Sequence, residues 1–87
     1  MVERIAKKDL IDLVAQRTSR ETPIVEEIVD ATLEEIYEAL KRGESVSLRN
    51  FGTFYVRVEW QSWVFKFTPS QRLRRVFGWS STYTGPL

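Results

Sequence analysis

The sequence predicts a small α+β fold built from two N-terminal helices, a three-stranded antiparallel sheet and a short C-terminal helix. Three observations predict it. Apolar residues recur at helical spacing up to about residue 42, the pattern then alternates with period two as far as Thr68, and a proline-led basic stretch follows before Gly78. At 87 residues the chain makes one domain. A domain this small buries only about 60% of its unfolded surface, so oligomerisation is a usual remedy.

In the first helix, after Lys7, the residues Leu10, Ile11, Leu13 and Val14 form one face, and the polar run over residues 16–21 ends it. The second helix is expected over residues 23–42. Thr22 serves as its N-cap, Pro23 as its first position, and Lys41, Arg42 and Gly43 as a dipole-matched stop. Its stripe of Ile24, Val25, Ile28, Val29, Leu33, Ile36, Tyr37 and Leu40 is wider than one short helix and a thin sheet can cover. A second copy of the chain is the simplest cover.

Residues 45–48 alternate as a first strand, and Gly52 permits the kink after which Phe54, Val56, Val58 and Trp60 alternate with Tyr55, Arg57 and Glu59. A hairpin loop at Gln61 and Ser62 would place Arg57 opposite Lys66 and Val58 opposite Phe65. One face is then apolar and the other carries Tyr55, Arg57, Lys66 and Thr68; any odd-length loop would mix the faces. Like charges directly opposite each other are unfavourable unless an anion lies between them. Arg57 and Lys66 therefore either splay into water or hold a phosphate. Thr68, Pro69, Ser70 and Gln71 read as a capping box with proline at the first helical position, opening a helix whose apolar face is Leu73, Val76 and Phe77. Arg72 lies early in that helix, against its dipole, which suits a polyanion. Arg74 and Arg75 suit either a polyanion or the helix C-terminus.

The formal net charge of +1 conceals an asymmetry. Residues 1–48 carry seven Lys/Arg against eleven Asp/Glu, whereas residues 49–87 carry six against Glu59 alone. An acidic back and a basic face are the electrostatic footprint of a polyanion binder. With no cysteine and no histidine, the chain lacks thiolate ligands, disulfides and the commonest general base. No enzyme, catalytic residue, metal or cofactor is expected. The charged first residues lack the apolar stretch of a signal peptide, and no run approaches a membrane span, so a cytoplasmic location is expected.

The run Asn-Phe-Gly-Thr-Phe at residues 50–54 is similar to the Gly-Phe-Gly-Asn-Phe turn of the HU and integration host factor family of bacterial DNA-bending proteins, with Asn50 replacing the first glycine. The run Phe-Thr-Pro-Ser-Gln-Arg-Leu-Arg at residues 67–74 is similar to that family's Phe-Lys-Pro-Gly-Lys-x-Leu-Lys helix start. In this order and spacing, residues 5–78 resemble a family member. The resemblance implies an intertwined dimer, a homodimer or a heterodimer with a relative, whose paired sheets form a basic saddle for double-stranded DNA in the nucleoid. A domain over residues 1–78 is expected, followed by a tail over 79–87 whose turn and linker composition suits either disorder or docking on the partner subunit.

Carried over residue by residue, the resemblance makes Arg57 a saddle arginine and puts Arg49 and Asn50 near flanking phosphates. It puts Thr68 where a phosphate-contacting lysine is common and makes Lys7 or Lys8 a basic position beyond the arms. Together with Lys66, Ser70, Arg72, Arg74 and Arg75, these are the candidate DNA-binding residues. The family's long hairpin arm, with its wedging tip proline, has no counterpart between Trp60 and Trp63, and Glu59 stands where an arm arginine is expected. Wrapping and bending should be weakened accordingly. Trp60 and Trp63 either fold over the sheet, stack on bases, or, with Trp79 and Tyr83, bind a protein partner. That last reading makes the chain an arm-less interaction module.

Overall fold

A computed structural model describes residues 3–77. Its elements follow in the order α1 (Lys7–Thr18), α2 (Thr22–Lys41), β1 (Val46–Leu48), β2 (Gly52–Glu59), β3 (Ser62–Pro69) and α3 (Gln71–Phe77). The expected order of two helices, three strands and a helix is thus present. The chain divides into two compact units at Glu35 and Ile36. The expected tail over 79–87, with Trp79 and Tyr83, lies outside the described residues, as does the boundary at Gly78.

In the first unit, the Asp9 carboxylate accepts the Ala6 N–H at 3.1 Å, tying down the start of α1 and placing an acid in its first turn. α1 ends in a Schellman motif. Ser19 takes a left-handed φ of 55°, and the Arg20 N–H reaches back to the Ala15 carbonyl at 3.1 Å. Ile11 and Ala15 on α1 meet Val25 on α2, with Val14 and Val29 packed against them. α2 begins one residue earlier than expected. The Glu21 carbonyl accepts from Ile24 and Val25, both at 3.1 Å, which makes Thr22 the first helical residue rather than the cap and moves Pro23 to the second position. Much of the α2 stripe stays uncovered, with Ile28 57% and Leu33 50% exposed.

α2 closes on Gly43, whose φ of 80° allows the Glu44 N–H to reach the Ala39 carbonyl at 3.0 Å. The sheet that follows has the order β1-β2-β3, antiparallel throughout. Asn50, with φ 67°, turns β1 into β2, a conformation asparagine tolerates. The rings of Phe51, Phe54, Phe65 and Phe67 cluster on the apolar face, the closest pair being Phe54 and Phe67 at 4.8 Å between centroids.

The hairpin between β2 and β3 corrects the expected register. Tyr55, not Arg57, lies opposite Lys66; Arg57 lies opposite Val64, Val58 opposite Trp63 and Glu59 opposite Ser62. The turn residues are Trp60 and Gln61, with φ 54° and 67°, in place of Gln61 and Ser62. The shift is an even number of residues, so the apolar and polar faces are unchanged. Hydrophobic pattern alone cannot choose between two registers that share their faces. The observed one keeps two cations from directly opposing each other, and two left-handed turn residues match the right-handed twist of the strands.

The last helix also starts later than expected. Pro69 ends β3, and Ser70, not Thr68, is the cap: its hydroxyl accepts the Leu73 N–H at 3.3 Å and its carbonyl accepts the Arg74 N–H at 3.1 Å. Thr68 remains in the strand, opposite Thr53, because it continues the ladder between β2 and β3.

Candidate nucleic-acid interface

Antiparallel pairing with period two assembles the polar face of the sheet. Residues directly opposite each other share a face, so Thr53 with Thr68, Tyr55 with Lys66 and Arg57 with Val64 all project to one side, together with Glu59 and Ser47. Thr53 donates to the Ser47 hydroxyl at 3.3 Å. Of the candidate residues, Arg57, Lys66 and Thr68 are therefore brought together.

A residue that sequence reasoning set aside organises this face. The Glu59 carboxylate accepts from Arg57, from Nε at 2.9 Å and also from the terminal Nη2, and lies 3.4 Å from Lys66 Nζ. An anion does lie between the two cations, and it is the chain's own. The Arg57 hydrogen bond, with a lesser contribution from Lys66, holds the Glu59 carboxyl below the usual carboxylate range against the opposing effect of burial. Glu59 in turn raises the Arg57 guanidinium. The signal for this arrangement was available in sequence: two positions along a strand share a face, and Glu59 is two residues from Arg57.

A second group of candidates gathers at the opposite end of β2. The Ser70 N–H donates to the Phe51 carbonyl at 2.9 Å, which joins the start of α3 to the turn bearing Arg49 and Asn50. Ser70 spends its hydroxyl on capping α3. Arg72, Arg74 and Arg75 are exposed on α3, which spans Gln71–Phe77. With the helix starting at Gln71, Arg74 and Arg75 fall in its last turn, where cations suit the dipole.

Lys7 and Lys8 lie in the other unit, exposed at the start of α1. Lys7 donates to the Asp30 carboxylate at 2.7 Å, and this partner raises its pKa. Trp60 and Trp63 do not fold over the sheet as core. Trp60 is 96% exposed at the turn and Trp63 68% exposed, although the Trp63 ring edge lies near Gly43. Among the described residues no helix is long and apolar enough to cross a membrane, and no group of acidic side chains could hold a metal ion.

Comparison with known proteins agrees with this architecture. Residues 5–61 match the model of the bacterial DNA-binding protein family. The chain is 47% identical over 53 residues to the DNA-binding protein HU of Thermus thermophilus, a match covering 61% of this chain and 55% of that protein. It is 48% identical over 52 residues to the integration host factor subunit beta of Rhizobium radiobacter, covering 59% of this chain and 51% of that protein. These matches span about half the length of the curated relatives. The solved structure of HU from Thermotoga maritima superposes with a TM-score of 0.73 at 39% identity, covering 83% of this chain and 97% of that one. An Anabaena HU–DNA cocrystal structure shares the fold at 23% identity, with a TM-score of 0.73 over 84% of this chain and 98% of that one. An α-α-β-β-β-α chain with this turn, this hairpin and these relatives belongs to the HU and integration host factor family of bacterial DNA-binding proteins, a family of binding proteins rather than enzymes.

Proposed function

We propose that this chain is a dimeric, largely sequence-tolerant binder of double-stranded DNA in the nucleoid, contacting phosphates through the polar face of its sheet. The observation that carries the reading is the convergence of Arg57 and Lys66 on one open sheet face, in a fold shared with HU. Side chains that meet phosphates supply affinity without reading bases. The uncovered stripe of Ile24, Ile28, Leu33 and Tyr37 supports dimerisation, since each is about half exposed in the single chain. The hairpin turns at Trp60 and Gln61, directly beyond Glu59, which leaves no extended arm to wrap or wedge a duplex. Bending costs several kcal/mol by elastic estimates and needs wrapping or wedges to offset it, so the chain binds DNA with little bending.

Fluorescence anisotropy on a mixed-sequence duplex tests this directly. Binding is expected below about 100 μM protein at about 50 mM salt, the range of non-specific association. Arg57→Ala should weaken it to a similar extent on every sequence and make the dependence of log K on log salt shallower by about one for each phosphate no longer neutralised. No binding under these conditions, or a single preferred sequence whose preference is lost in the variant, overturns the reading.

The exposure of Trp60 and Trp63 favours a second reading, in which this end of the hairpin docks a protein partner. Replacing both with alanine separates the two. Salt-dependent DNA binding should survive the double replacement within about twofold, since phosphate contacts dominate it. Loss of DNA binding would place the tryptophans on the duplex instead.

A further inference from the structure

Glu59 is the single acidic residue among the last 39 positions, against six Lys/Arg, and it sits at the last position of β2 on the polar face. Its carboxylate satisfies both cations of that face at once, Arg57 through Nε at 2.9 Å and Lys66 at 3.4 Å. A carboxylate and a phosphate oxygen make the same charge-assisted contacts with a guanidinium and an ammonium. The cluster is open to exchange on its Arg57 side, since that side chain is 60% exposed, that of Glu59 30% and that of Lys66 19%. An ion pair as accessible as Arg57 with Glu59 contributes little to stability, so giving that one up to an incoming anion is cheap.

We propose that Glu59 is an internal competitor of the DNA backbone: its carboxylate occupies the place of a phosphate on Arg57 and Lys66, and binding requires its displacement. This inference rests on the DNA-binding reading and adds what limits the affinity. With Glu59 in place, Arg57 and Lys66 present one net positive charge instead of two, so fewer counterions are released when a phosphate arrives. The carboxylate must also swing aside or remain near the phosphate it repels. Either way, the residue holds the saddle to weak, readily reversed binding, in keeping with the short hairpin that bears it.

The full chain should be titrated onto a mixed-sequence duplex between about 50 and 200 mM salt, as wild type and as Glu59→Gln. Glu44→Gln serves as a control with the same change in net charge, since Glu44 pairs with Arg42 and lies outside this cluster. The expected result is about tenfold tighter binding by Glu59→Gln at the lowest salt, with a salt dependence steeper by about 0.9 for each additional phosphate neutralised. Glu44→Gln should stay within about twofold of wild type. Glu59→Thr, which suits a strand, should reproduce the tighter binding and guards against an effect peculiar to glutamine. If wild type binds and Glu59→Gln binds no tighter, or if Glu44→Gln tightens binding as much, the competitor role is overturned while the DNA-binding reading stands. If neither wild type nor any variant binds, both fall together.

Discussion

Gly52→Ala should remove about 3 kcal/mol of stability, the upper part of the range for forcing atoms into a packed site. A Cβ at this position would stand 2.6 Å from two ring carbons of Phe67 and 2.6 Å from the Thr68 carbonyl oxygen. The ring could turn, but the carbonyl belongs to the neighbouring strand, where Gly52 pairs with Pro69 and Thr53 with Thr68. Relief therefore requires β2 and β3 to separate at the very end that carries Arg49, Asn50 and the start of α3. Gly43→Ala is the informative contrast. It also has a positive φ, but its nearest neighbours are Trp63 ring atoms at 3.7 and 3.9 Å, so it meets only the left-handed backbone penalty of about 1–2 kcal/mol. Thermal unfolding should show Gly52→Ala lowering the midpoint by more than about 10 °C, at roughly 4–8 °C per kcal/mol for a domain of this size. Equal, small shifts for the two variants would mean that the strands do not approach this closely in solution.

Ile11→Ala should cost about 3 kcal/mol, within the 2–5 kcal/mol measured for truncating buried aliphatic side chains elsewhere. Ile11 is 3% exposed and Val25 4%, and with Ala15 they are the buried apolar residues among those described. With only Val14 and Val29 packed against these three, little is at hand to close over the cavity. The consequence reaches the proposed dimer, because α1 and α2 also carry the half-exposed Leu10, Leu13, Ile24 and Ile28, which a second copy would cover. When only the paired form is folded, the unfolding midpoint rises with protein concentration. Wild type should show that rise over a hundredfold range of concentration, and Ile11→Ala should show it from a lower starting midpoint. A wild-type midpoint independent of concentration would contradict the dimer, and an unchanged midpoint in Ile11→Ala would contradict the packing.

Part of the candidate interface is legible in the sequence alone. Arg57, Lys66 and Thr68 share a face because alternation with period two dictates it, whichever of the even registers the hairpin adopts. Their partner is not legible in the same way. Setting Arg57 opposite Lys66 calls for an anion between them and points outward to phosphate, whereas the folded chain places Glu59 there. Spacing puts Glu59 on the face of Arg57, but that its carboxylate also meets Lys66, at 3.4 Å, follows only from the pairing of β2 with β3. The capping of α3 follows a similar course. The residues 68–71 satisfy the sequence pattern of a capping box, but Thr68 is held in the ladder opposite Thr53, so the next available hydroxyl, that of Ser70, caps the helix.

By itself the sequence determined the element order, the two faces of the sheet, the apolar stripe of α2 and the basic second half, because each depends on local periodicity or on composition. Tertiary structure decided the register of the hairpin, the residue that caps α3 and the internal ion cluster at Glu59. Alternation fixes a strand only modulo two residues; the choice among registers that share their faces falls to turn geometry and to charges that meet only once the strands are paired.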